Sequence, residues 1–212
     1  MWNKIQKIYI GTNQVRPWEQ SASYDFKSLT WSELSSQWWI NATGSGGTFA
    51  MNSTKWIYSS TDGSAYAWCP VDLSKASKLT IKTVRYGYNG SWVWYNGFWL
   101  NGATITAGSQ PLYITYSCNN NSGYMPQSIA MSWTTKASTQ KSISTWQHTL
   151  TVDIDFGTWA TSYTLDNLVS LSCTASATEI TNIKNSSYIF VKPIYNWNRQ
   201  HECWSMEYTI KF

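Results

Sequence analysis

The sequence predicts an all-β protein, an antiparallel two-sheet β-sandwich of jelly-roll type, and three observations lead there. Apolar and polar residues alternate with a period of two over most of the 212 residues, as strands with one buried face require. The alternating runs are rich in β-branched and aromatic residues and are punctuated by Asn-Gly and Asp-Gly pairs. No helical crossover long enough to join parallel strands is present, so neighbouring strands must pair antiparallel.

The composition narrows the function. Lys and Arg total 15 against 11 Asp and Glu, a net charge of +4 without a basic cluster, so binding to nucleic acid by charge is not expected. The 15 Trp and 14 Tyr, with charged residues at only 12%, exclude intrinsic disorder. No apolar run reaches the length of a membrane span, so no membrane insertion is expected.

Taken in order, residues 1–17 read as a short N-terminal arm or hairpin, with β runs at Lys4–Ile10 and Gln14–Arg16 joined across Gly11-Thr12-Asn13. A boundary falls near Pro17, and residues 18–212 form the sandwich. An isolated hairpin is marginal in water, so Ile8, Tyr9, Ile10, Val15 and Arg16 are candidate anchoring contacts. They dock on a neighbouring subunit by strand addition, or they close the edge of their own sandwich. The start of the chain has no uninterrupted apolar stretch and no small-residue cleavage site, so no signal peptide is expected.

Clear strands are predicted at Lys78–Tyr88, Ser91–Leu100, Leu112–Ser117, Ser128–Thr135, Thr145–Phe156, Ser187–Asn196 and Cys203–Phe212. Weaker ones fit around Trp38–Asn41, Thr48–Met51, Lys55–Ser59, Tyr66–Cys69, Leu168–Cys173 and Glu179–Lys184. Asn89-Gly90 signals a two-residue hairpin, and Asp62-Gly63, Asn96-Gly97 and Asn101-Gly102 signal further turns or bulges. Only Ser28–Ser36 and Asp72–Ala76 look like short helical turns.

Catalysis and metal binding find little support. Asp153 and Asp155 share one strand face and Glu202 and Glu207 flank the last strand, but a glycosidase needs two carboxylates facing one bond. These acids read better as solvated. The chain has no G-x-S-x-G elbow, no Gly-rich dinucleotide loop and no phosphate-binding loop. Cys69, Cys118, Cys173 and Cys203 form no C-x-x-C pair, so they read as reduced thiols acting as small hydrophobes. The pair His201/Cys203 announces no partners for a metal, and the loops at Asp62-Gly63 and Asn119-Asn120-Asn121 lack the repeated acids of a calcium loop. No cofactor and no metal are expected.

The aromatic residues are the informative chemistry. In Trp92–Trp99 (WVWYNGFW) alternate residues face opposite sides of a strand, so both faces are aromatic. Exposed indoles and phenols hold the apolar face of a sugar ring and are frequent at protein interfaces. Trp92, Trp94, Tyr95 and Trp99 are therefore candidate glycan or protein contacts. So are Trp39, since it and Trp38 point to opposite faces, and Trp197, in a polar loop. Core packing is the competing role for each of them.

Two stretches carry a resemblance. Lys7–Pro17 (KIYIGTNQVRP) resembles the K-x-Y-x-G-x-x-x-V leader found near the start of structural proteins of tailed bacteriophages, though here in one copy rather than in tandem. Tyr24–Leu29, Trp38-Trp39 and Asp62–Leu79, with the turn Pro70-Val71-Asp72-Leu73-Ser74, resemble the first half of concanavalin-like or laminin-G-like sandwiches of phage particles and carbohydrate-binding modules. The resemblance implies a non-enzymatic virion component, a head decoration, fibre or tail protein. Its partners would be other virion structural proteins and further copies of itself, with host surface glycan as a candidate contact. The alternative expectation is a free carbohydrate-binding module or lectin.

Overall fold

The structure, a computed structural model, describes residues 8–10, 13–15, 19–26, 28–37, 40–43, 49–50, 58–59, 63–87, 96–102, 110–117, 125–144, 146–191, 194–196 and 199–212. In chain order the first elements are β1 (Ile8–Ile10), β2 (Asn13–Val15), β3 (Glu19–Asp25), α1 (Trp31–Ser36), β4 (Ile40–Thr43), β5 (Phe49–Ala50), β6 (Tyr58–Ser59) and β7 (Gly63–Pro70). Next come β8 (Lys78–Gly87), β9 (Asn96–Asn101), β10 (Leu112–Tyr116), β11 (Met125–Met131), β12 (Thr134–Lys141), β13 (Gln147–Asp155), β14 (Ala160–Leu165) and β15 (Val169–Thr174). The chain ends with α2 (Ala177–Lys184), β16 (Tyr188–Val191), β17 (Ile194–Asn196) and β18 (Arg199–Lys211).

These strands build two antiparallel layers. The front layer runs β12-β11-β10-β9-β16-β7-β4, and the back layer runs β3-β18-β8-β13-β14-β15. β7 joins the two: Ala65 to Trp68 pair with β4, while Gly63 and Ser64 pair with β17, which continues into β18. The antiparallel sandwich expected from the alternation is the observed architecture.

The alternation itself places the core. In β13 every second residue from His148 to Ile154 is buried, and Leu79, Ile81, Thr83 and Arg85 of β8 do the same beside it. Opposite them Phe98, Leu100, Leu112, Ile114, Ile129, Ile189 and Val191 complete a buried interior between the layers. In β18 the inward set switches from Cys203 to Met206, Tyr208 and Ile210, because a bulge between Cys203 and Ser205 inserts one residue. The extra residue, Trp204, stacks on Tyr86 at 4.8 Å with the rings 7° from parallel.

Several expected elements are corrected. Glu179–Lys184 is not a strand but the body of α2. Ser176 accepts from the Glu179 N–H and the Glu179 carboxylate accepts from the Ser176 N–H, a capping box that starts a helix. Ile180 and Ile183 then fall on one buried face. Ser128–Thr135 is not one strand: the chain reverses at Ser132-Trp133 between β11 and β12, with Met131 opposite Thr134. Ser187–Asn196 divides into β16 in the front layer and β17 at the junction. Asn96-Gly97 is no turn but the start of β9. β3, β14 and most of β12 had no counterpart among the expected strands. Asn89-Gly90 lies outside the described residues.

The β1–β2 hairpin pairs Ile8 with Val15 and Ile10 with Asn13 as a separate two-stranded sheet. β2 begins one residue earlier than the expected start at Gln14.

The caps carry a pH prediction. Burial alone would raise the Glu179 carboxyl, but the Ser176 N–H and the Lys136 ammonium outweigh it and hold it below the usual carboxylate range. Hydrogen bonds do the same for Glu33 (from Thr30), Asp72 (from Ser74) and Asp155 (from the Thr158 N–H). A carboxyl lowered on folding adds stability above its unfolded value, about 4, and that stability disappears as pH falls through the folded value. The thermal midpoint is expected to fall steadily as the pH drops below about 4. A midpoint that rose on acidification to about pH 3 would contradict these caps.

Candidate functional site

Between the layers lies a polar group in an otherwise apolar interior. Arg85 is 2% exposed; its Nε donates to Thr83 Oγ1 at 3.2 Å and its Nη2 to the Gly97 carbonyl at 2.7 Å. Among the described residues no carboxylate forms an ion pair with it. In the same interior, Gln127 binds Ser117 in the manner of a strand partner, donating to its carbonyl and accepting from its N–H. The Tyr163 hydroxyl donates to Gln127 Oε1 at 2.6 Å, and burial pushes the Tyr163 phenol up, keeping it a donor.

His148 pairs in register with Arg85 on the next strand. Its Nδ1 lies 2.6 Å from Asp166 Oδ2 and its Nε2 2.9 Å from the Ser144 carbonyl. Asp166 Oδ1 also accepts from the Thr149 N–H at 2.8 Å. This arrangement holds the β14–β15 turn against β13; it exposes no nucleophile. Asp166→Ala is expected to lower stability by about 2–3 kcal/mol in urea unfolding, because a buried imidazole and a backbone N–H lose their acceptor. Asp166→Asn keeps one acceptor and should recover part of that loss.

Asp153, Asp155 and Glu207, three of the four acids weighed for catalysis, have structural partners. Asp153 accepts from Thr80 Oγ1 at 2.6 Å and pairs with Lys78 at 3.1 Å. Asp155 Oδ1 accepts from the Gly157 and Thr158 N–H groups in the β13–β14 turn, and Glu207 pairs with Lys82. Among the described residues no group of three or more His, Cys, Asp or Glu side chains converges on a point. Cys69 and Cys203 are fully buried free thiols, and burial pushes both up. Cys118 lies outside the described residues.

The front layer carries an aromatic row on the face turned away from the core. Trp68, Phe190, Trp99 and Tyr113 are register partners across β7, β16, β9 and β10. Trp99 stacks on Phe190 at 5.2 Å and 5°, and tilts against Tyr113 at 6.0 Å. Trp68 packs on Phe190 at 5.2 Å and meets Tyr188 edge-on. Trp99, a candidate contact by sequence, is only 3% exposed and serves as the centre of this row; its ring offers no free face. Trp39, Trp92, Trp94, Tyr95, Trp197 and Arg16 lie outside the described residues. Ile8, Tyr9, Ile10 and Val15 are strand residues of the separate hairpin.

The exposed indoles are ones that sequence reasoning missed. Trp133 is 62% exposed, Trp146 67% and Trp159 41%, three of the five exposed large apolar side chains among the described residues. Trp133 and Trp159 also have left-handed backbones, with φ of 68° and 63°. For a bulky residue that conformation costs about 1–2 kcal/mol. Ser132 (φ 47°) and Trp133 make the two-residue turn of β11–β12 with both central φ positive, a turn normally built from Asn-Gly. With neither Asn nor Gly present, no dipeptide signal announced it.

Both turns lie at one end of the sandwich. Lys136 of β12 pairs with Glu179 of α2 at 3.1 Å, and the Ala175 N–H, just before α2, donates to the Trp159 carbonyl at 2.9 Å. α2 thus runs between the two hairpin tips. Trp146 stands at the other end, at the start of β13.

No protein-family model and no curated protein sequence matches the chain. Its structure does resemble solved ones. The carbohydrate recognition domain of Emp46p, in its potassium-bound form, aligns over 87% of this chain and 94% of its own with a TM-score of 0.61 at 15% identity. Lectin II from Ulex europaeus aligns over 91% and 98% with a TM-score of 0.64 at 10% identity. The metal-free lectin I-B4 from Griffonia simplicifolia aligns over 89% and 99%, at 0.59 and 14%. The fold is that of the legume-lectin, concanavalin-like β-sandwiches.

Proposed function

We propose that this chain is a non-catalytic carbohydrate-binding sandwich. The observation that carries the reading is the side-chain chemistry laid on this fold: among the described residues three of the five exposed large apolar side chains are indoles, in a sequence rich in Ser and Thr with only 12% charged residues. An indole face attracts the polarised C–H groups of a pyranose ring through its quadrupole, and Ser and Thr hydroxyls meet the ring's own hydroxyls. That the likeness to lectins runs nearly the whole length of both chains supports the same direction.

The test is a glycan array probed with the full-length chain, its folding verified by near-ultraviolet circular dichroism. Selective retention of particular glycans, with no release of reducing sugar on incubation, is the expected result. A folded protein that retains none overturns the reading.

The second reading places the same domain in a tailed-bacteriophage particle, as a head, fibre or tail component held among other virion proteins and further copies of itself. The separate β1–β2 hairpin favours it, since two strands alone are marginal and gain by pairing with a neighbour. In this reading residues 1–17 anchor and residues 18–212 are displayed, after synthesis in the host cytoplasm. Light scattering decides it. A full-length oligomer that becomes a folded monomer without residues 1–17 is expected; monomers in both cases remove the anchoring role.

A further inference from the structure

We infer that Trp133 and Trp159 form a two-point stacking edge for a neutral oligosaccharide at the α2 end of the sandwich. The inference rests on the carbohydrate-binding reading above and names the surface that performs it.

Both residues sit at hairpin tips with positive φ, where glycine or asparagine would be comfortable and tryptophan is not. Both indoles keep much of their surface in solvent, 62% for Trp133 and 41% for Trp159. Neither turn chemistry nor core packing accounts for tryptophan at these two positions, and strained, exposed residues of this kind concentrate at contact sites.

One tip belongs to the front layer and the other to the back, and stacked sheets lie about 10 Å apart. The edge strands β12 and β15 bring the tips to the same end, tied through Lys136–Glu179 and through Ala175 to Trp159. Two indoles on opposite layers suit an extended chain of sugar rings better than a single ring.

The occupant follows from the rims. The tips read Met131-Ser132-Trp133-Thr134-Thr135 and Gly157-Thr158-Trp159-Ala160-Thr161, with no charged residue. The charges near them are engaged within the protein: Lys136 pairs with Glu179, the Asp155 carboxylate accepts from the Gly157 and Thr158 N–H groups, and the Lys184 ammonium lies over the Phe156 ring at 5.2 Å. A strongly acidic or basic partner would therefore have to displace these contacts. A protein partner would need about 800 Å² of continuous contact on this side, whereas the indoles are separated by hydroxyl-bearing turns. Phe212, exposed at the same end, follows β18, which lies three strands from β14 across β8 and β13, about 14 Å away.

The experiment compares four full-length proteins on the same glycan array: the unaltered chain, Trp133→Gly together with Ser132→Asn, Trp159→Gly, and Trp146→Ala at the opposite end. The two tip variants are expected to lose at least about tenfold in apparent affinity while their Tm stays level or rises by about 2–4 °C, because the strained turns relax. Trp146→Ala should bind as the unaltered chain does. If the unaltered chain binds glycan and the tip variants bind equally well, the stacking edge is wrong and the carbohydrate reading survives. If the unaltered chain binds no glycan, both fall. If the tip variants instead change the oligomeric mass in light scattering, the tips are a protein interface and the inference is overturned.

Discussion

Gly97→Ala is expected to destabilise the protein by at least about 3 kcal/mol, a loss large enough to leave much of a marginal domain unfolded. A Cβ on Gly97 would lie 1.6 Å from the Ile114 carbonyl oxygen and 2.7 Å from its carbon. Both are backbone atoms of the paired strand β10, so no side chain can swing aside. The chain here must instead separate β9 from β10 where Gly97 faces Thr115, next to the buried Tyr116. Overpacking a core ordinarily costs about 1–3 kcal/mol because side chains and backbone share the adjustment; here backbone alone must absorb it. Gly102→Ala is the control, since nothing lies within 4 Å of its added Cβ, and it should shift stability by less than about 0.5 kcal/mol. Urea unfolding followed by tryptophan fluorescence measures both. A Gly97→Ala midpoint within error of the parent would refute the close approach of β9 and β10.

Gly97 also shows what could be read from the sequence and what could not. Asn96-Gly97 carries the dipeptide chemistry of a turn, and local chemistry alone favours that reading. The glycine is instead required by a long-range contact with Ile114, which no window around residue 97 contains. The reverse happens at Ser132-Trp133, where a true two-residue turn carries neither of the residues that announce one. Ile180 and Ile183 could serve a strand or a helix; the decisive signal was Ser176 with Glu179, three residues apart and just ahead of them. β13 and β8, by contrast, were plain, because both are long central strands in which every second residue is buried and the alternation is unbroken. β3 escaped notice because an edge strand buries little: only Ala22 and Tyr24 of Glu19–Asp25 are buried. For the candidate site the same physics applies. Aromatic content marked Trp99 and passed over Trp133, because which indole is stacked inside a row and which stands on a turn depends on pairings that alternation does not encode.

The second large effect concerns Arg85, and its direction depends on what replaces the side chain. Arg85→Ala is expected to cost about 3–5 kcal/mol, since it empties one of the largest fully buried volumes in the protein and leaves the Gly97 carbonyl without its donor. Arg85→Met keeps most of the volume and removes a cation from a buried position at which no described carboxylate pairs with it. Taking a charge out of water costs several kcal/mol. The gain from its removal therefore opposes the loss of the hydrogen bonds to Gly97 and Thr83, each worth about 1–3 kcal/mol when a buried acceptor is orphaned. The Met variant should lie within about 1.5 kcal/mol of the parent, well above the Ala variant. If Met costs as much as Ala, volume is not what matters, and the guanidinium charge is stabilised by something the described residues do not supply, such as a bound anion. Adding chloride or phosphate would then raise the parent's midpoint but not the variant's. The two residues also bear on each other. Arg85 Nη2 holds the carbonyl of the very glycine whose backbone presses on Ile114, so the guanidinium links β8 of the back layer to β9 of the front one at the crowded point. Combining Gly97→Ala with Arg85→Met should thus cost less than the sum of the two, by about 0.5–3 kcal/mol, because the strand displaced by the alanine has already lost the tether. Strict additivity would mean that the contact to Gly97 does not fix the position of β9.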